Sequence, residues 1–101
     1  MADTTLLDPL GRSITLHDAT WYGHILKRHP DLRILRRSVE ETVRDPAEVR
    51  FSSYDPACRV YYAKLFAMMM AVVVNVDENV VLTAYRTTRM KGAVEWSAST
   101  P

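Results

Sequence analysis

The stretch from Val60 to Thr87, VYYAKLFAMMMAVVVNVDENVVLTAYRT, constrains this chain most: it is almost continuous in strand-forming residues and broken by one polar turn. Tyrosine, valine and their β-branched or aromatic kin favour the pleated, half-buried environment of a sheet. Val60 to Phe66 therefore reads as one strand. Met68 to Val76 is apolar on both faces, as a central strand covered on both sides would be. Asp77-Glu78-Asn79 reads as the turn of a hairpin. Beyond it Val80 to Thr87 alternates, with Val80, Leu82 and Ala84 on one face and Val81, Thr83, Tyr85 and Thr87 on the other. Val49 to Ser53 precedes this block as a further strand, followed by an Asp55-Pro56-Ala57 turn. Ala93 to Trp96 follows it as a short last strand after the Lys91-Gly92 break. Near the start, Pro9 and Gly11 mark a turn, and Ser13 to Leu16 alternates as a short strand.

The first half carries helical signals. Asp18 or Thr20 can cap a helix running to about His29, where Pro30 lacks an amide hydrogen and biases its neighbour out of helical geometry. At 100° per residue, Trp21, Ile25, His29, Tyr22 and Leu26 share one apolar arc; Lys27 points away, and His24 and Arg28 lie together along an edge. Residues 31–37 suggest a short helical turn. Ser38 with Glu41 three positions on is a capping-box pattern for a second helix, which runs to about Asp45 with Val39, Thr42 and Val43 inward and ends at Pro46. The expected fold is α+β: two N-terminal helices packed on one face of a roughly four-stranded antiparallel sheet, the other face carrying the polar side of the strands. The expected domain is single and spans residues 1–101, with loose tails at about 1–7 and 97–101.

At 101 residues the chain suffices for one modest core. With a single cysteine, Cys58, it can form no disulfide within itself; that thiol, beside a turn, reads as half-buried and inert. The longest apolar run, residues 65–74, is about half the ~20 residues of a membrane helix, and the N-terminus shows no signal-peptide pattern. A cytoplasmic protein without a membrane partner is expected.

Several chemistries find no pattern here. The sequence has no HExxH, no cysteine pair, no phosphate-binding glycine loop and no nucleophile motif, so no metal and no cofactor are expected. The net charge is only +1, yet residues 24–37 hold Lys27, Arg28, Arg33, Arg36 and Arg37 against Asp31 alone. Such a local basic patch suits phosphates. The strands add Arg59, Tyr61, Tyr62 and Lys64 in one arm, and Thr83, Tyr85, Arg86, Thr87, Arg89 and Lys91 in another. Tyr62 and Lys64 share a face, as do Thr83, Tyr85 and Thr87; if the two faces coincide, the sheet presents a cationic, tyrosine-bearing surface.

Those residue types fit RNA cleavage without metal. A 2′-hydroxyl must lose a proton, phosphorus must carry extra negative charge, and the 5′-oxygen must gain a proton. Histidine works as acid or base near neutral pH, lysine and arginine stabilise the phosphorane, and hydroxyls orient the phosphate. The bland readings stand beside this one. His29, inside the apolar arc, fits a core imidazole, His24 a solvated helix residue, His17 a turn residue, and Trp21 and Trp96 packing.

The succession DPLGRSITL, WYGHILKRHPDL, VEETVRDPAEVR, RVYYAKL, AVVVNV and VLTAYRTTRMKGAVEW resembles the phage-type BECR-like (barnase, EndoU, colicin and RelE-like) nuclease-fold families over about residues 8–96. The resemblance implies two helices against a four-stranded antiparallel sheet and metal-independent endoribonuclease activity, in families regarded as toxins or phage-encoded effectors. Carried over by motif, HILKRHP supplies His24, Arg28 and His29, the YYAK strand supplies Tyr62 and Lys64, and TAY with its basic sequel supplies Thr83, Tyr85 and Lys91. His24, His29, Lys64 and Thr83 are thus the expected catalytic residues, and Arg28, Tyr62, Tyr85 and Lys91 the expected RNA contacts. RNA is the expected partner, with an antitoxin or immunity protein and a homodimer as further candidates. The alternative function is a non-catalytic module that binds nucleic acid or protein.

Overall fold

A computed structural model describes residues 3–98. Seven strands form one sheet: β1 (Thr4–Leu7), β2 (Ser13–Leu16), β3 (Glu48–Phe51), β4 (Cys58–Leu65), β5 (Met68–Asn75), β6 (Val80–Thr87) and β7 (Val94–Ser97). Their spatial order is β1-β2-β6-β5-β4-β3-β7, all antiparallel except the single β2–β6 pairing at Thr15 and Val80.

This overturns the expected two helices on a roughly four-stranded sheet. The three long strands lie close to where the residue pattern put them, but β4 starts earlier, at Cys58, and ends at Leu65, so Phe66, expected in the strand, lies in the turn to β5. The sheet grows on both sides by strands of only four residues, β1 and β2 at one edge, β3 and β7 at the other. β2, β3 and β7 lie at or near the short strands read at Ser13–Leu16, Val49–Ser53 and Ala93–Trp96, whereas β1 was not expected; that all of them join one sheet was not legible, because β2 meets β6 and β7 meets β3 from far along the sequence. Thr4–Leu7, expected as loose tail, is an edge strand, and Ser97 closes β7; the parts of the expected tails at residues 1–2 and 99–101 lie outside the described residues.

The sheet curls until its edges approach one another. In the β1–β2 turn, Arg12 Nη2 lies 2.8 Å from Glu95 Oε1 on β7. The concave side holds the main core, in which Leu6, Ile14, Leu16, Val49, Tyr61, Val72, Val74 and Ala84 meet Trp21, Ile25, Leu32, Val39 and Val43 from the helices.

Two helical segments fill that concavity. The first, α1 (residues 18–28), opens with Asp18–Thr20, passes through a π-helical turn at Trp21–Ile25 and closes with Leu26–Arg28. In the π turn the Leu26 N–H donates to the Trp21 carbonyl, five residues back rather than four, so the 100° wheel does not hold. Trp21 and Ile25 are buried as expected, but Tyr22 is 53% exposed. Pro30–Leu32 forms a 3₁₀ turn. The second helix, α2 (Arg36–Arg44), starts two residues before Ser38. The expected capping box is therefore not at its N-terminus, and the Ser38 carbonyl instead accepts from the Thr42 hydroxyl at 2.7 Å. Val39, Thr42 and Val43 are buried as expected. Arg36 ties the two helices together, pairing with Asp18 at 2.8 Å and Glu40 at 3.1 Å while lying 5.6 Å over the Trp21 ring.

A bulge alters β6. Val73 pairs with Thr83 and Val74 with Val81, leaving Leu82 extra. Strict alternation would set Val81 apart from Ala84. The inserted residue brings both into the main core, while Thr83, Tyr85 and Thr87 stay on the outer face. Among the described residues no helix is long and apolar enough to cross a membrane.

Candidate nucleic-acid interface

The register makes the two polar strand faces one. Across β4, β5 and β6, Tyr62 aligns with Ala71 and Tyr85, Lys64 with Met69 and Thr87, and Val60 with Val73 and Thr83. Tyr62, Lys64, Thr83 and Tyr85 therefore share the convex face, the β4 and β6 members standing two strands, about 10 Å, apart.

That face is not open throughout. After β6 the chain crosses it at residues 88–93 to reach β7. Met90 packs over Val60, Tyr62 and Ala71 in a small second core, and the Lys91 N–H donates to the Tyr62 hydroxyl at 3.2 Å. Arg50 fastens the crossing from below, its Nη1 donating to the Met90 and Gly92 carbonyls at 3.3 and 3.1 Å. Tyr62 is only 2% exposed, so its ring is packing and its hydroxyl a backbone partner rather than an RNA contact. Tyr85 lies half-buried beside it. Burial and the Tyr62 hydroxyl push the Tyr85 phenol above its ordinary value.

The helix divides the histidines. It packs against β6, which β2 meets only at Val80. His24, exposed in the π turn, opens on a shallow cleft of about 360 Å³ with His17, Thr20 and Val80–Leu82, at the first end of β6. His29, half-buried where the helix stops, reaches Tyr85, the ring centroids 6.1 Å apart and the planes tilted by 36°. The following turn is fastened there by Asp31, whose Oδ2 lies 2.8 Å from Arg86 Nε. Lys64, exposed, borders a different cleft of about 340 Å³ against α2, with Ser38, Glu41 and Asp45. Tyr85 and Lys91 border a third, largely apolar one of about 400 Å³, with Tyr54, Cys58, Val60 and Leu82. Of the expected set, then, the fold groups His29, Tyr85, Tyr62 and Lys91, sets Thr83 on the same strand face, and directs His24 and Lys64 to separate clefts. Arg28 is exposed at the helix end.

Charge is distributed unevenly. Lys27, Arg28, Arg33, Lys64, Arg89 and Lys91 enter no ion pair among the described residues. Lys64 lies near the end of β4 and Arg89 just past β6, and Lys27, Arg28 and Arg33 flank the His29 corner, all toward one end of the sheet. Asp77 and Glu78, in the β5–β6 turn, and Asp55, before β4, carry their charge at the other end, while Glu41 and Asp45 of α2 lie beside Lys64.

A buried polar network on the concave side went unnoticed in the sequence. The Tyr61 hydroxyl donates to Asp8 Oδ2, which also pairs with Arg12 Nε at 2.9 Å. Arg12 continues to Glu95, whose second carboxylate oxygen lies 3.0 Å from Arg59 Nε.

 Burial opposes ionisation of Asp8 and Glu95, but donation from Tyr61 and Arg12 to the first and from Arg12 and Arg59 to the second outweighs it and holds both carboxyls below their ordinary values. Burial and the Asp8 acceptor push the Tyr61 phenol well up. The local half of this network had a signal, since Asp8 and Arg12 flank the Pro9–Gly11 turn and Asp8 Oδ1 accepts from the Leu10 and Arg12 N–H groups at 3.0 and 2.7 Å. Its link to Glu95 is purely tertiary.

Together these features define a curled seven-stranded sheet with helices in its concavity and a histidine–tyrosine pair at a cationic end. Compared with protein-family models, with curated proteins and with solved structures, the chain matches none.

Proposed function

We propose that this protein is a metal-independent endoribonuclease that receives RNA at the cationic end of the sheet, with His29 as its proton-transfer residue. The observation that carries the reading is His29 against Tyr85, on the side of the sheet where Thr83 and Lys64 also project. The resemblance of HILKRHP, YYAK and TAY to BECR-like nucleases supports it, although the sheet here is larger than that resemblance implies. In the proposed step the 2′-oxygen loses its proton to a base and bonds to phosphorus. The bond from phosphorus to the 5′-oxygen breaks, and that oxygen takes a proton, leaving a 2′,3′-cyclic phosphate. His29 exchanges protons, the Tyr85 and Thr83 hydroxyls orient the phosphate, and the nearby cations balance its charge. A toxin or phage-type effector, restrained by an antitoxin or immunity protein in the cytoplasm, is the setting this activity suggests.

Cleavage of RNA in excess EDTA tests the reading. His29→Ala is expected to lose about 10²- to 10⁴-fold in rate, while His24→Ala, altered in a different cleft, keeps most of it. Equal cleavage by the parent and His29→Ala would sink the assignment. One observation favours a second reading, a non-catalytic RNA-binding module: His24 and Lys64 border clefts apart from His29. Binding that weakens steeply with salt, with no cleavage product, would select it.

A further inference from the structure

The β4–β5 hairpin turn holds a residue its backbone does not favour. Leu65 pairs with Met68, so Phe66 and Ala67 alone make the turn. Phe66 has φ 56°, in the left-handed region that bulky side chains seldom enter. A first turn position with positive φ is ordinarily glycine, asparagine or aspartate. Elsewhere among the described residues positive φ belongs to Gly11, Gly92 and Asn79, types that tolerate it. Asn79 occupies the matching hairpin turn between β5 and β6. Packing does not account for the Phe66 ring, which is 87% exposed. Backbone strain of this kind clusters at ligand-binding and catalytic sites.

Lys64, two residues before the ring, is exposed and enters no ion pair among the described residues, with Glu41 and Asp45 of α2 across the cleft it borders. Arg89, exposed and likewise without an ion pair among the described residues, leaves β6 at the same end, held by bonds between its backbone and the Thr87 hydroxyl at 3.2 and 3.3 Å. One exposed ring among cations matches the alternation of base and phosphate along a single strand. Docking of a protein would call for a contiguous apolar patch. We propose that Phe66 is a stacking platform for an unpaired base of single-stranded RNA. The proposal rests on the RNA reading above and adds a contact outside the reacting groups.

The test uses a single-stranded 2′-O-methyl oligoadenylate of about 10 nucleotides, which has no free 2′-hydroxyl and so stays whole even if the protein cleaves RNA. Its binding is followed by fluorescence anisotropy at low salt for the parent, Phe66→Gly, Phe66→Leu and Phe66→Trp. Phe66→Gly is expected to bind about 5- to 150-fold more weakly while its thermal midpoint stays level or rises, because glycine relieves the backbone. Phe66→Trp retains binding and Phe66→Leu does not. Equal binding by the parent and Phe66→Gly overturns the platform and leaves the RNA reading standing. A parent that does not bind the oligonucleotide overturns both. Retention by Phe66→Leu overturns stacking and points to an apolar partner instead. Binding that depends on Phe66 in a parent that cuts no RNA keeps the platform and removes the nuclease.

Discussion

Replacing Tyr61 by phenylalanine removes one oxygen from the middle of the buried network that joins the two edges of the sheet. The ring, fully buried, keeps its packing. Asp8, whose side chain is also fully buried, loses one of the two donors on Oδ2 and keeps the other, Arg12 Nε at 2.9 Å. Deleting a hydrogen bond to a buried charged group costs about 1.5–3 kcal/mol. For a domain of this size that lowers the thermal midpoint by roughly 6–20 °C. Urea unfolding followed by the fluorescence of Trp21 and Trp96 measures the loss; the midpoint should fall with no change in slope, since the surface exposed on unfolding is the same. The same network sets an acid limit. Asp8 and Glu95 titrate lower in the folded chain than in the unfolded one, so the unfolded state binds more protons as the pH drops. Their contribution is complete above the ordinary carboxylate values near pH 4 and disappears as pH falls through the lower folded ones. Asp8→Asn should therefore flatten the loss of stability below about pH 4. A Tyr61→Phe loss under about 0.5 kcal/mol, the range of ordinary surface changes, would refute the reasoning, because the Arg12 donor alone would then satisfy Oδ2.

Other outcomes follow from single positions. Gly92 has φ +90°, and a Cβ there would lie 2.1 Å from the Phe51 carbonyl oxygen, so Gly92→Ala should cost about 2–4 kcal/mol in urea unfolding by dislodging the crossing that covers Tyr62. Burial and the neighbouring Asp55 push the Cys58 thiol up, so a thiol reagent at neutral pH should label it at least about tenfold more slowly in the folded protein than in urea. In the π turn, Trp21→Ala should cost about 3–5 kcal/mol, whereas Tyr22→Ser should stay within about 0.5 kcal/mol. A large cost at Tyr22 would mean that it faces inward as the regular wheel requires.

The sequence by itself determined the elements whose signal is local. The long strands β4, β5 and β6 carry enough consecutive strand-forming residues to show their period, and Pro30 and Pro46 end the helices because proline cannot continue one. The shared outer face of Tyr62, Lys64, Thr83 and Tyr85 was present in the alternation, but only the register joined its halves. Tertiary structure decided the rest. The place of the short strands in one sheet is set by long-range pairings, β2 with β6 and β7 with β3, and one extra residue at Leu82 re-aims β6. The π turn rotates Tyr22 outward, and the crossing at 88–93 buries Tyr62. The two histidines, five residues apart on one short helix, separate because that helix runs along β6: His24 lies at its first end and His29 at its last, against Tyr85. Contacts between residues distant in sequence leave no mark in local composition, so WYGHILKRHPDL alone could hold both histidines as candidates but not choose between them.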